Sequence, residues 1–381
     1  MRNFIKVLPV FVAFYCMGFV DIVGTAVNYA SKDFELTEST MQFLTMMIFI
    51  WFFVFSIPTG ILQDKFSKKT LVISALIITT LAMLVPFLVY NYVVLMVSLA
   101  LMGIGNTIIQ VSLNPLLYDV SPKGSYSSNM SLSQFIKAIA AFLGPVIAVF
   151  FVRTLGDWKF IFVVYGCLSI VSGIWLFFTP VRESRKKSTP VSFRSCFKLF
   201  GNTYILVMVL GIFIVVGLDV GMNTGIPNVL KQFGLTQDQA IRGISLYFIA
   251  LMVSRFLGAL ILKKISSSWF LLVSAVITLA GLILLIMNSS AMLAGAGIVV
   301  VALGSANIFP LIFSLSVEKY PEKSNEISAL MIMAISGGAI FPFIMGVIVD
   351  TVSLRASIVF LFLISLYLFI IGMKNLLSNP E

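Results

Sequence analysis

Four charged residues interrupt long apolar stretches of this sequence: Asp21, Lys137, Asp219 and Arg255. A charge at the middle of a bilayer costs about 2.5–3.5 kcal/mol on insertion scales, so each needs a partner, a cavity or a task. A buried carboxylate can carry a proton, and a buried cation can neutralise it or select an anion. Amides recur around these charges at helical spacing. Asp21, Thr25 and Asn28 share one helix face. Asn106, Gln110 and Asn114 form a continuous stripe, Gln134 lies one turn before Lys137, and Asp219 lies one turn before Asn223. A helix break is expected after them at Pro227, and Asn307 stands just ahead of Phe309-Pro310. Amides flanked by aromatic rings suit a polyhydroxylated ring, because a hydroxyl both donates and accepts while the ring face stacks.

Each feature has a plainer reading. Asn106, Gln110 and Asn114 either line a cavity or bond neighbouring helices together. Asp21 and Lys137 are either a neutralising pair or a switch, in which protonating Asp21 frees Lys137. Asp219 lies 198 residues after Asp21 and is either a second proton-coupling carboxylate or the partner of Arg255. Arg255 is read as structural or gating. Asp64 and Lys65, in a basic cluster running to Lys69, are read as a latch between helix ends.

The elements that hold these residues follow from composition. The 381 residues are 60% hydrophobic and only 10% charged, against about 25% charged in soluble domains. That excludes a soluble enzyme and a disordered chain. Twelve apolar runs are long enough to cross a bilayer, each needing about 20 residues: roughly 7–28, 41–63, 70–90, 93–118, 130–152, 160–180, 203–228, 241–262, 269–288, 292–316, 327–349 and 355–376. The first carries Asp21 and no small-residue cleavage site after a short apolar core, so it reads as a retained helix rather than a leader. With the N-terminus cytoplasmic, 17 of the 25 Lys and Arg fall in inner loops and tails and six in outer loops. This bias places both termini inside and explains the net charge of +10 without nucleic acid. The sequence has no His and three isolated Cys, so neither a metal site nor a cofactor is expected.

The chain divides into bundles at 1–180 and 201–381, joined by a cytoplasmic linker at 181–200. The halves repeat: Phe34-Glu35-Leu36-Thr37 returns as Phe233-Gly234-Leu235-Thr236, and Gly60, Leu62 and Lys65 return as Gly258, Leu260 and Lys263. The expected fold is an all-α membrane protein, with twelve transmembrane helices in two pseudo-symmetric six-helix bundles. Duplicated halves are the mark of a secondary transporter with its site at the midplane.

Gly60-Ile-Leu62-Gln-Asp64-Lys65-Phe-Ser67-Lys68-Lys69 resembles the major facilitator signature, with Lys65 for Arg and Ser67 for Gly. Within that superfamily the chain is similar to the fucose/glucose/galactose permease family of sugar–cation symporters. The resemblance rests on Phe309-Pro310 with Phe313-Ser314-Leu315, and on the run from Met333 through Gly337-Gly338 to Pro342 with Gly346 and Asp350. Asn114-Pro115, Val216-Gly217 with Asp219, and Arg255-Phe256 with Gly258 add to it. It implies import of a monosaccharide or related polyol with a proton, sodium being the alternative ion, by a bacterial inner-membrane protein acting as a monomer. The proton-coupled pattern of the family places one carboxylate in span 1 and one in span 4. Here those positions fall on Gly24 or Thr25 and on Gln110, and Asp21 sits about one turn from the first. Lys137 stands where that pattern has an amide, and a buried lysine there opens a second substrate class, a sugar acid or other organic anion with Lys137 as counter-charge. An enzyme or receptor finds no catalytic set or signalling domain to support it.

Overall fold

The computed structural model describes residues 4–63, 65–120, 126–180, 192–262 and 265–378. Asp64 lies outside them. Twelve helices meet the length and apolarity needed to span a membrane. They are, as spans 1 to 12, Leu8–Asp33, Glu38–Leu62, Lys68–Leu88, Tyr92–Leu117, Leu132–Leu155, Phe160–Phe178, Thr203–Lys231, Gln237–Ile261, Ser267–Ile286, Ala291–Lys319, Glu326–Thr351 and Leu354–Leu377.

Local chemistry sets several of the starts. Thr37, Ser67, Thr236, Ser266 and Ser290 each accept a hydrogen bond from a backbone N–H of the first turn that follows them. These caps satisfy donors that the helix itself cannot. The repeat is visible in the backbone as well as in the letters. Glu35 and Gly234, at matching positions of the two repeated loops, both take positive φ, +52° and +79°. Each loop then ends in a capping threonine, Thr37 or Thr236.

Burial differs between the spans. The apolar windows of spans 1, 10 and 11 are 83%, 72% and 67% buried, against 39% in spans 5, 6, 9 and 12. Spans 2 and 11 pack along each other, as do spans 5 and 8, and these pairs join the two halves. Large side chains such as Leu88, Phe178 and Met292 stay exposed on the perimeter, where a lipid surface would meet them.

The three most buried spans are the interrupted ones. Span 1 is α-helical over Phe4–Met17, a 3₁₀ turn over Gly18–Ile22, and α-helical again over Val23–Asp33. Span 10 stops at Ser305 and restarts at Ile308. Span 11 has a 3₁₀ turn at Ala334–Ser336. Such breaks free backbone groups and are tolerated at membrane depth only where protein re-satisfies them. The break expected at Pro227 is not there: span 7 is one helix from Thr203 to Lys231, with Pro227 inside it. The carbonyl four residues earlier loses its donor, but the helix keeps its course. Gly337 packs closely against span 7, since a Cβ there would sit 1.8 Å from the Phe213 carbonyl oxygen.

Candidate functional site

The breaks in spans 1, 10 and 11 converge on one cavity between the halves. Val20 and Asp21 reach it from span 1, Phe309 from span 10 and Ile335 from span 11. Phe49, Gln110, Gln134 and Lys137 complete the N-terminal wall. Asp219, Asn223, Phe248 and Arg255 stand among those on the C-terminal wall. Its volume is about 50 Å³, space for three or four waters at about 10–15 Å³ of sphere volume each. A hexose ring would require the walls to part.

The charged groups fall into two different settings. Lys137 Nζ lies 3.2 Å from Asp21 Oδ2, joining span 5 to the 3₁₀ turn of span 1. Both side chains keep a small exposure, 16% and 18%, so the pair is wetted from the cavity rather than sealed. Asp219 on span 7 accepts hydrogen bonds from Tyr247 Oη of span 8 and, at 3.3 Å, from Ser305 Oγ of span 10. Tyr247 and Ser305 are also within 3.4 Å of each other. Asp219 does not form the expected pair with Arg255: among the described residues no carboxylate lies within 4.0 Å of that guanidinium. Arg255 Nε donates instead to Ala306 O at 3.2 Å, and Nη1 to Gln134 O at 3.4 Å. Ala306 O needs that donor because its helical partner would be the N–H of residue 310, which is proline.

The same need explains where several amides went. Asn106 Nδ2 donates to Met17 O at 2.9 Å, a carbonyl at the span 1 break. Asn223 Nδ2 donates to Asp21 O at 2.8 Å. Asn307 Nδ2 donates to Ser254 O at 3.0 Å, tying the span 10 break to span 8. Gln63 Nε2 donates to Val111 O at 2.9 Å, again a carbonyl four residues before a proline, Pro115. Asn28 bridges span 1 to span 7 through Gly24 O at 2.7 Å and Thr224 O at 3.2 Å. Asn114 is buried with neither amide atom bonded. Asn28, Asn106, Asn114 and Asn307 do not line the cavity, whereas Gln110, Gln134, Lys137 and Asn223 do. Gln110 spends its Nε2 on Asn106 Oδ1 at 2.8 Å, and its carbonyl oxygen remains for the cavity. Lys65 is exposed at the end of span 2, remote from the cavity lining.

Close approach makes these amide bonds possible. A Cβ on Gly24 would lie 2.1 Å from Asn223 Oδ1, and one on Gly258 would lie 2.5 Å from Asn307 Oδ1. Both glycines are the space into which a neighbouring asparagine fits.

At the end of the bundle opposite the termini, the halves are bonded together. Tyr29 Oη donates to Asp238 at 3.1 Å and Gln237 Nε2 to Asn28 O at 2.9 Å. Asn228 Nδ2 donates to Glu38 at 2.8 Å, and Ser39 N–H to Asp350 at 2.9 Å. Behind Tyr29, Trp158 stacks on its ring at 5.5 Å and donates to Asp33, which also accepts from Tyr90 Oη at 2.8 Å. Burial and the Asp33 carboxylate push the Tyr90 phenol upward, so it stays a donor throughout the physiological range. The cavity is thus roofed on that side by polar contacts that must separate for it to open there.

Tyr247, Ser305, Phe49 and Phe248 were not singled out by sequence reasoning. Tyrosine, serine and phenylalanine are ordinary in apolar helices, so their types carry no alarm. The usable signal was positional: Ser305 stands two residues before Asn307, and Tyr247 one turn pair before Ser254 and Arg255.

Known proteins share this fold. The model of the Major Facilitator Superfamily matches residues 10–340. A glucose/galactose transporter of Brucella abortus is 22% identical over 361 residues, covering 90% of this chain and 87% of that protein. A putative glucose/galactose transporter of Helicobacter pylori is 25% identical over 371 residues, covering 90% and 89%. Among solved structures, the Escherichia coli fucose:proton symporter superposes with a TM-score of 0.76 at 17% identity, over 98% of this chain and 99% of that one. A bacterial homologue of the human lysosomal transporter Spinster, inward-facing, gives 0.73 at 16%, over 100% and 99%.

Proposed function

The chain belongs to the Major Facilitator Superfamily, and we propose that it is a secondary transporter that imports a monosaccharide or related polyol with a proton. The observation that carries this reading is the cavity itself. It sits between the two halves, behind a polar roof, with the Gln134 amide, the Gln110 carbonyl oxygen, three phenylalanine rings and a partly exposed Asp21–Lys137 pair on its walls. Gln110 and Gln134 supply hydrogen bonds to hydroxyls, and Phe49, Phe248 and Phe309 supply apolar faces for a ring.

Transport then follows from two coupled changes. The halves rock about the long contacts of spans 2 with 11 and 5 with 8, so that the cavity opens alternately to each side. Asp21 takes up a proton when exposed and lets Lys137 go, which redistributes charge beside Gln134 and alters the substrate's environment. Asp219 is a second proton-coupling carboxylate, shielded by its two hydroxyls. Both termini are cytoplasmic in this reading, as the Lys and Arg distribution requires, in a bacterial inner membrane.

The test uses purified protein in liposomes. Counterflow of a labelled monosaccharide needs binding and exchange but no coupling, whereas uphill uptake under an imposed proton gradient needs both. Wild type is expected to do both, and Asp21→Asn to retain counterflow and lose accumulation. Uphill uptake at the wild-type level by Asp21→Asn would remove Asp21 from the coupling role.

A further inference from the structure

Asp219 and Arg255 line the same cavity from spans 7 and 8 and do not touch. No Asp219 oxygen lies within 4.0 Å of the Arg255 guanidinium, yet Arg255 is the principal opposite charge acting on Asp219, ahead of Lys137. Each residue keeps one end unfilled. Asp219 takes both of its hydrogen bonds, from Tyr247 Oη and Ser305 Oγ, on Oδ1, and Oδ2 has none. Arg255 gives Nε to Ala306 O and Nη1 to Gln134 O, and Nη2 donates to no group of the protein. Neither Oδ2 nor Nη2 is sealed in the interior, so both meet the cavity that their residues line.

An acceptor and a donor of opposite charge, held apart beside one cavity, define what fits between them. The occupant has to donate to a carboxylate and accept from a guanidinium. A hydroxyl does both through one oxygen. A carboxylate has no proton for Asp219, and an ammonium has no lone pair for Arg255.

We propose that Asp219 and Arg255 hold one hydroxyl of the sugar between them, so that the pair selects a neutral polyol by the position of that hydroxyl. The inference rests on the monosaccharide-transport reading above and names the residues that read its substrate. Tyr247 and Ser305 are positioning residues: by holding Oδ1 from spans 8 and 10, they leave Oδ2 as the oxygen for the substrate. Asp219 keeps this role as an auxiliary proton site, because a hydroxyl donates to the ionised carboxylate and accepts from the protonated one. Hydrogen bonds to charged groups are about twice as strong as neutral ones, so this pair discriminates between sugars more sharply than Gln110 and Gln134 do. Those two amides belong to the N-terminal half. A ring bonded to both walls therefore bridges the halves, where Arg255 Nη1 already reaches across to Gln134 O at 3.4 Å.

The test is a deoxy-sugar scan read by counterflow in proteoliposomes. Labelled fucose, glucose, galactose and mannose are exchanged first. The fastest is then competed with its monodeoxy and deoxyfluoro derivatives at each ring position. A C–F group cannot donate, so the deoxyfluoro sugar removes the bond to Asp219 with little change of shape. Wild type is expected to bind the derivatives of one position about 10–100-fold more weakly than the parent sugar. Asp219→Asn keeps an acceptor for Tyr247 and Ser305 and turns an NH₂ to the cavity. Its penalty for that same deoxyfluoro sugar is expected to fall below about threefold, with the penalties at other positions unchanged. A merely structural role for Asp219 would instead weaken every sugar alike. Tyr247→Phe loosens the carboxylate without removing it and is expected to lower the same penalty part of the way. It decides the matter if Asp219→Asn does not fold. An even scan in wild type, or a positional penalty unchanged in the variants, overturns the inference and leaves monosaccharide transport standing. No exchange of any of the four sugars by monodisperse, cooperatively melting protein overturns the transport reading on which it rests.

Discussion

Asp21 and Asp219 occupy matching places in the two halves, 198 residues apart, yet the structure treats them differently. Asp21 sits in a broken helix, faces an ammonium at 3.2 Å and is partly wet. Asp219 sits in an unbroken helix and is held by two hydroxyls from spans 8 and 10. The first setting changes its charge balance on protonation, because the proton removes one member of an ion pair and releases the other. The second keeps its partners in either state, since a hydroxyl both donates and accepts. Duplication supplied the same residue twice, and the divergence of its neighbours separates the coupling switch from an auxiliary proton site whose partners stay in place. Arg255 shares the cavity with Asp219 without a direct ion pair and donates to the Ala306 and Gln134 carbonyls instead.

The largest effect that sharpens this contrast is on stability and coupling together. Asp21→Asn strands Lys137 and is expected to cost about 3 kcal/mol, the lower part of the range for breaking a buried pair. Asp21→Asn combined with Lys137→Gln is expected to recover most of that loss, a non-additivity that thermal unfolding in detergent would register. Asp219→Asn keeps an acceptor for both hydroxyls and is expected to cost only about 1 kcal/mol. Equal losses for the two aspartates would erase the distinction. Next comes the seam between spans 1 and 7. Gly24→Ala drives a methyl into Asn223 and is expected to cost about 2 kcal/mol by overpacking, and to raise thiol labelling of a cysteine placed at Asn28 as the roof opens. Tyr247→Phe and Ser305→Ala should each cost about 1 kcal/mol, since each removes one donor to Asp219. At the roof, Asp350→Asn weakens a charge at the start of span 2, worth about 0.5 kcal/mol. It is expected to raise labelling slightly with no change in melting.

Much of this was legible beforehand. The twelve spans, the division into halves and the repeat of Phe34–Thr37 as Phe233–Thr236 follow from hydropathy and spacing, and the repeat extends to a shared positive φ. Asp21 with Lys137 was readable as opposite charges on two spans. What spacing could not reveal was how backbone breaks spend side chains. Asn106, Asn223 and Asn307 look like sugar ligands in the letters, but each gives its N–H₂ to a main-chain carbonyl. A stripe of amides marks polar demand without saying whether ligand or backbone makes it. Prolines are the better guide when read by what they remove: Pro310 leaves an orphan at Ala306 O and Pro115 one at Val111 O, and both are filled. Pro227 shows the limit of that guide, since its helix continues. The hydroxyl cage of Asp219 was invisible because Tyr247 and Ser305 come from two other spans.

The most direct measurement sets the two aspartates side by side in proteoliposomes, with counterflow and proton-driven accumulation read on the same preparations of wild type, Asp21→Asn and Asp219→Asn. Asp21→Asn is expected to exchange substrate and to accumulate none above equilibrium, and Asp219→Asn to retain a reduced accumulation. Accumulation by Asp21→Asn at the wild-type level, or its complete loss in Asp219→Asn alone, would contradict the assignment of the coupling switch to the Asp21–Lys137 pair.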